Sequence, residues 1–253
     1  MRSVLVGSDL GPRSDAVVRG AAALALASGA VLHVVHALGL VGRPLREAVT
    51  ALEAGADPRA RRALEEQVGR VLGEDVDRAL PAVDYRSAPV ALLERAREVD
   101  ADVVVVGAGE DPAGTVFHVA SRSTRPVLVL RGAFRWPPGS VLYPVDEPDA
   151  SGGGLRHACD WLRRACPAPS PRVSPAPAGH LLDRAGRSGT DLLLLHRRPG
   201  GSIPPQERAW YQALLRSPCP VCLLPGAGEQ PAPRADAARA RAPEDGVALA
   251  AGG

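Results

Sequence analysis

The sequence predicts an α/β fold built on an open, mostly parallel sheet. Three observations carry that expectation. Short apolar runs alternate with segments of helical period along the chain, the pattern of successive βαβ units. The run Val103 to Val106 is apolar without a break, which suits a strand covered on both faces. It ends in Gly107. A glycine-containing loop then leads to Gly114-Thr115, which opens a short helix that Pro126 stops before a second apolar run, Val127 to Leu130. Strand, glycine loop, helix start and strand is the layout of a phosphate cradle at the edge of a parallel sheet.

Taken in order, Val4 to Val6 reads as the first strand, and Gly11-Pro12 is turn chemistry. Ser14 is read as a helix N-cap, with helix from Ala16 to Ala27 burying Val17, Ala21 and Leu24. Gly29 suits the left-handed residue that closes a helix. Val31 to Ala37 is the next strand. Its His33 and His36 stand at an odd separation, on opposite faces, so they do not share a metal. Gly42 to Ala56 is expected to be helix or loop, and Pro58 to Leu72 an amphipathic helix. A weak strand lies within Val76 to Tyr85, and Ser87 with Pro89 starts the helix that leads into the central run. On the short helix after Gly114, Val116, Val119 and Ala120 share one face.

The rest of the chain repeats this order. Ser3-Val4-Leu5 returns as Ser140-Val141-Leu142, Asp9 as Asp146, Ser14 as Ser151 and Arg19 as Arg156, all at one constant offset. Leu92 to Ala96 then returns as Leu181 to Ala185, and Asp102 as Asp191, at a second and smaller offset. The second copy is therefore shortened in its middle, between its first helix and its penultimate one. Cys166 to Pro177 is read as a proline-rich link in place of the missing stretch. Its last strands are Asp191 to Leu195 and Val221 to Leu224, with an amphipathic helix expected over Gln206 to Leu215. The expected organisation is one domain over residues 1–132, a truncated one over 139–225, and a disordered tail over 226–253 rich in Pro, Ala and charge.

Composition excludes several classes. A net charge of +2 argues against a dedicated nucleic-acid surface. No apolar stretch reaches the roughly 20 residues that span a bilayer, and the first helix is preceded by aspartates as no secretory leader is. Cytoplasm is the expected compartment, and no membrane or nucleic-acid partner is expected. Cys219-x-x-Cys222 has the spacing of a redox or metal pair, but Cys222 falls inside an apolar run, so a strand start explains it better. Ser151 to Gly154 lacks the following Asp-Ser of a pyrophosphatase loop, and Arg197 and Arg198 read as solvated. No nucleophile with a base and a third group emerges; His118 follows closely on Thr115 without one. No catalytic residue and no metal ligand is proposed.

The opening VLVGSD, the second strand HVVH and the closing Gly-Thr-helix-Pro-Val-Leu-Val resemble the universal stress proteins, whose fold is Rossmann-like, of the adenine nucleotide alpha hydrolase type. The resemblance covers residues 1–131, and 139–225 in truncated form. It implies that Asp9 meets adenine or ribose and that the backbone at Ala37 reads the adenine edge. It implies that Gly107, Gly114, Thr115 and Val116 contact ribose and phosphate. The sequence departs from the family at the loop, which is about six residues short and has Glu110 where the second glycine belongs, with Asp111 beside it. Those carboxylates repel phosphate.

Two functions follow as expectations. One is a non-catalytic regulatory or interaction module with a degenerate site and no firm cofactor, in which Val127 to Leu130 pairs with Val221 to Leu224 inside the chain as the last strands of two family members pair in a dimer. The other is a stress sensor that holds ATP or AMP at its first domain. A further homodimer of the whole chain is compatible with either.

Overall fold

The computed structural model describes residues 1–109, 114–132, 134–144, 153–166, 171–177, 180–196, 214 and 216–225. The readings made at Glu110-Asp111, Asp146, Ser151, Arg197-Arg198, most of Gln206 to Leu215 and the tail fall outside these residues.

In chain order the first elements are β1 (Ser3–Ser8), α1 (Pro12–Ser28), β2 (Val31–Ala37), α2 (Leu45–Glu53), α3 (Ala56–Leu72), a 3-10 turn (Gly73–Arg78), β3 (Ala79–Asp84), α4 (Ala88–Glu98), β4 (Val103–Gly107), α5 (Thr115–Arg122) and β5 (Val127–Leu130). Then come β6 (Ser140–Pro144), α6 (Gly153–Ala165), β7 (Arg172–Ala176), α7 (Leu181–Ser188), β8 (Leu192–His196) and β9 (Val221–Leu224). All nine of these strands form one sheet in the order β3-β2-β1-β4-β5-β9-β8-β6-β7. Every pairing is parallel except β5 with β9, where Val127, Leu128 and Val129 face Leu223, Cys222 and Val221. The pairing of these two runs joins residues 1–132 to residues 139–225 as one continuous sheet.

Each face of the sheet carries one core, because alternate strand residues point to opposite sides. Val4, Val6, Val103 and Val105 face α1, α3 and α6, where Val17, Leu64 and Trp161 are buried. Leu5, Val104 and Val106 face α4, α5 and α7, where Ala91, Val116 and Leu181 are buried. Both cores run across the β5–β9 junction. Covering on two sides is why the central strands are unbroken valine and leucine rather than alternating.

Local signals act mostly as read. Gly29 closes α1 at φ 67°, and Pro89 lies in the first turn of α4. Val116, Val119 and Ala120 form the buried face of α5. Ser14 is a correction. Gly11 is the N-cap and Pro12 opens α1, so Ser14 sits inside the first turn, where its hydroxyl donates to the Gly11 carbonyl at 2.7 Å. A helix that can start on Gly-Pro has no need of the serine as its cap.

The proline-rich link is a second correction, since it contains β7. Arg172 to Ala176 pairs in parallel with β6, Ser140 opposite Arg172, as Val31 lies opposite Ser3. An edge strand tolerates proline because one side of it makes no ladder. Between β5 and β6 the chain is anchored by Trp136. Trp136 is buried, its indole N–H donates to the Ala165 carbonyl at 3.0 Å, and its ring meets Phe134 and Trp161 edge-on at 5.6 and 6.3 Å.

Cys166, Cys219 and Cys222 are buried and Cys159 is half-buried, all as free thiols. Among the described residues no helix is long and apolar enough to cross a membrane, and no group of three metal-ligating side chains occurs.

Candidate functional site

The strand order reverses direction at β1, whose neighbours are β2 and β4. The connections leaving β1 and β4 pass to opposite faces, which opens a crevice beyond the carboxyl ends of these strands. A cleft of about 740 Å³ occupies this place.

Of the residues that the resemblance singled out, Asp9, Ala37, Gly107, Thr115 and Val116 line this cleft. Gly114 is not among its lining residues but caps α5 immediately before Thr115. Residues at the ends of β1, β2 and β4 and at the start of α5, far apart in the chain, thus meet in one concavity. Asp9 is exposed, and its Oδ1 accepts the Gly11 amide at 2.8 Å, which shapes the turn between β1 and α1.

Gly107 is required by packing. A Cβ there would lie 2.9 Å from Val17 Cγ2, inside contact distance. At the end of β1, a Cβ on Gly7 would meet Leu92 Cδ1 at 3.1 Å. Two adjacent strands therefore carry glycines at or next to their last residue, against which helices from both faces close.

Among the lining residues that the sequence reading did not assign to the site are Arg13, His36 and Arg131. Arg13 lies in the first turn of α1, and Arg131 directly follows β5. They bring two guanidinium groups to the cleft. Burial pulls the Arg131 guanidinium below its ordinary value, but arginine stays charged at any physiological pH. Its Nη2 donates to the carbonyl of Leu214, so this cleft residue also touches the later part of the chain. His36 Nδ1 lies 2.9 Å from the Ser8 carbonyl. A carbonyl only accepts, so Nδ1 carries the proton, and in the neutral ring Nε2 is the acceptor.

Beneath the cleft the turn is held by a polar cluster. Ser8 Oγ donates to Gln67 Oε1 at 2.6 Å, and Gln67 Nε2 donates to Ser14 Oγ at 2.9 Å and Asp15 Oδ1 at 2.7 Å. Arg70 adds bonds of 3.0 to 3.2 Å to the Asp15 carboxylate. The Gln67 amide, with Arg70 after it, holds the Asp15 carboxyl below the usual range. His118, which sequence placed near Thr115, has Nδ1 3.0 Å from the Gly114 carbonyl, a bond within its own helix.

At the corresponding end of β6 and β8 the surroundings differ. Here Tyr143 and His196 meet edge-on at 5.9 Å, and His157 lies 5.5 Å from His196. Tyr143 and His196 are buried.

A family model described as the universal stress protein family matches residues 1–131. No curated protein sequence matches the chain significantly. Among solved structures, a universal stress protein from Archaeoglobus fulgidus aligns over 88% of this chain and 96% of its own, at 12% identity and a TM-score of 0.54. A Pseudomonas aeruginosa protein assigned to the same group aligns over 89% and 93%, at 16% identity and a TM-score of 0.56. These two matches extend the likeness of fold across both parts of the sheet. An Archaeoglobus fulgidus universal stress protein in complex with dAMP aligns over 52% of this chain and 98% of its own, at 23% identity and a TM-score of 0.40. With more than half of its length matched by the family model, and with the expected mostly parallel α/β sheet, the chain belongs to the universal stress protein family.

Proposed function

We propose that this chain is a non-catalytic, nucleotide-responsive regulator. Residues 1–132 hold an adenine nucleotide, and residues 139–225, a shortened repeat of the same unit, serve as its built-in partner. The observation that carries the first part is the convergence of Asp9, Ala37, Gly107, Thr115 and Val116 on one open cleft at the switch point of the sheet. In this reading the end of β2 takes the base, Asp9 the ribose, and Gly107, Gly114, Thr115 and Val116 the ribose and phosphate. Arg13 and Arg131 supply positive charge. Glu110 and Asp111 in the shortened loop oppose each added phosphate, so AMP is favoured over ATP. The reading implies a cytoplasmic setting, where adenine nucleotides are abundant.

Repeated hydrogen bonds support the second part. Asp102 accepts the amides of Arg2 and Ser3, and Asp191 those of Gly139 and Ser140. Ser123 bonds the backbone of Arg125 before β5, and Ser217 that of Cys219 before β9. The strand registers correspond too, Val4 opposite Val103 and Val141 opposite Leu192. In this alignment β7 takes the sheet position of β2 yet leads into α7 as β3 leads into α4.

Thermal unfolding with adenosine, AMP, ADP and ATP, each at millimolar concentration with Mg²⁺, tests the reading. AMP should raise the midpoint, and Asp9→Ala and Gly114→Asp should abolish the rise. No shift with any nucleotide favours the second reading, an interaction module without ligand, for which the acidic loop and the closed β5–β9 junction speak.

A further inference from the structure

Leu10 sits between Asp9 and Gly11 at φ 62°, in the left-handed region that a branched side chain rarely adopts. Strain of this kind persists where the surroundings over-determine it, and it concentrates at binding sites. The strained residue here adjoins the carboxylate that faces the cleft. What holds it is traceable. The Leu10 amide donates to Ser8 Oγ at 3.0 Å, and Ser8 Oγ in turn donates to Gln67 Oε1. On the far side of the turn, Ser14 Oγ donates to the Gly11 carbonyl and accepts from Gln67 Nε2. One side-chain amide therefore grips both ends of the turn.

Gln67 is distant from Ser8 in sequence, on α3, and is 1% exposed. A glutamine so deeply buried is costly unless satisfied, and here both ends of its amide are used. Asp15 fixes which end is which, because a carboxylate accepts only, so the NH₂ must face it. By sequence, the brace has no counterpart in the later repeat. Val145 stands at the position that matches Ser8, and the stretch lost from that repeat includes the one carrying α3. The part of the chain with the open cleft is the part that keeps the brace.

We propose that Gln67 is a positioning residue for the nucleotide site, holding the strained Asp9–Gly11 turn in the shape that presents Asp9 to the ligand. The proposal rests on the nucleotide reading above. Gln67 touches no ligand. It acts through Ser8 and Ser14.

The test uses the full chain with Gln67→Met, which keeps the volume and removes the bonds, and Ser8→Ala, which cuts the link to Leu10 with little loss of packing. Arg70→Met is the control, since it disturbs Asp15 without touching the turn. AMP affinity is measured by calorimetry at a temperature where each variant is folded, alongside amide exchange at Leu10 and Gly11 without ligand. The expected result is a roughly tenfold or greater loss of affinity in Gln67→Met and Ser8→Ala, with faster exchange at the two amides, and neither effect in Arg70→Met. A purely structural role would lower the unfolding midpoint and leave the affinity of the folded protein unchanged, which overturns the proposal. If the unaltered protein binds no nucleotide, the nucleotide reading fails and this role fails with it. Unchanged affinity in the variants of a protein that does bind removes the role of Gln67 alone.

Discussion

His196 ends β8 at the position where Gly107 ends β4. Register places them so: Val103 lies opposite Val4 and Leu192 opposite Val141, and each strand runs to its fifth residue, Gly107 in one and His196 in the other. Gly107 leaves room beside Val17. His196 fills the equivalent place with a ring packed against Tyr143 and His157. One nucleotide per chain is therefore the expected stoichiometry, to be read from a calorimetric titration with AMP. Gly107→Ala should cost about 1–3 kcal/mol through the clash with Val17 and should weaken binding, measured by denaturant unfolding and by the same titration.

The thiols should react in a set order. Burial pushes the Cys166 thiol up to about 12 and raises those of Cys219 and Cys222 as well. A thiol-specific reagent at pH 8 should label Cys159 alone in the native protein and reach the other three only as the protein unfolds. Early labelling of Cys219 and Cys222 together would revive the redox reading of their spacing.

Acid should destabilise the fold in two stages. Burial lowers the pKa of His33 and of His157, the latter helped by His196 and Arg164 and opposed by Asp160. Both are thus harder to protonate folded than unfolded. Their contribution is complete above about pH 6.5 and is lost as pH falls toward their folded values. The carboxyls of Asp15 and Asp84 are held low chiefly by Gln67 and Arg86 respectively. Their contribution is present above about pH 4 and is lost below it. Unfolding midpoints from pH 8 to 3 should show both declines, and His33→Phe with His157→Phe should flatten only the first.

Trp136→Ala should cost about 3–5 kcal/mol, by removing a buried indole together with its bond to Ala165. Because both cores run across the β5–β9 junction, the loss should appear as one cooperative transition of the whole protein in calorimetry. Two separate transitions would show that the parts fold independently.

Much of this fold was legible because its central strands are plain. Val103 to Val106 suits a strand covered on both faces, and Gly29 and Pro89 mark helix ends by backbone chemistry alone. β7 was not legible, since Arg-Val-Ser-Pro-Ala has neither alternation nor an apolar run; an edge position and pairing with β6 make it a strand. Ser14 misled because Gly11-Pro12 starts the helix earlier. That Asp9, Ala37 and Gly107 end near one another follows from a sequence pattern, and the fold brings them to one cleft. That Arg13 and Arg131 line it too, and that Gln67 bonds Ser8 and Ser14, was not legible, since these contacts depend on elements that meet only in the folded chain. Gln67 reads as one more polar residue of an amphipathic helix until α3 is seen lying against α1.

The junction of β5 with β9 changes the mass action of the molecule. Two separate subunits that pair through their last strands come apart on dilution. Here the two strands are tethered by the chain between them, so their encounter is governed by an effective concentration rather than by how much protein the cell makes. A partner that cannot diffuse away needs no ligand site of its own to be retained. That leaves the later strands free to end differently, with His196 closing β8 where Gly107 closes β4, while still completing the sheet through β9.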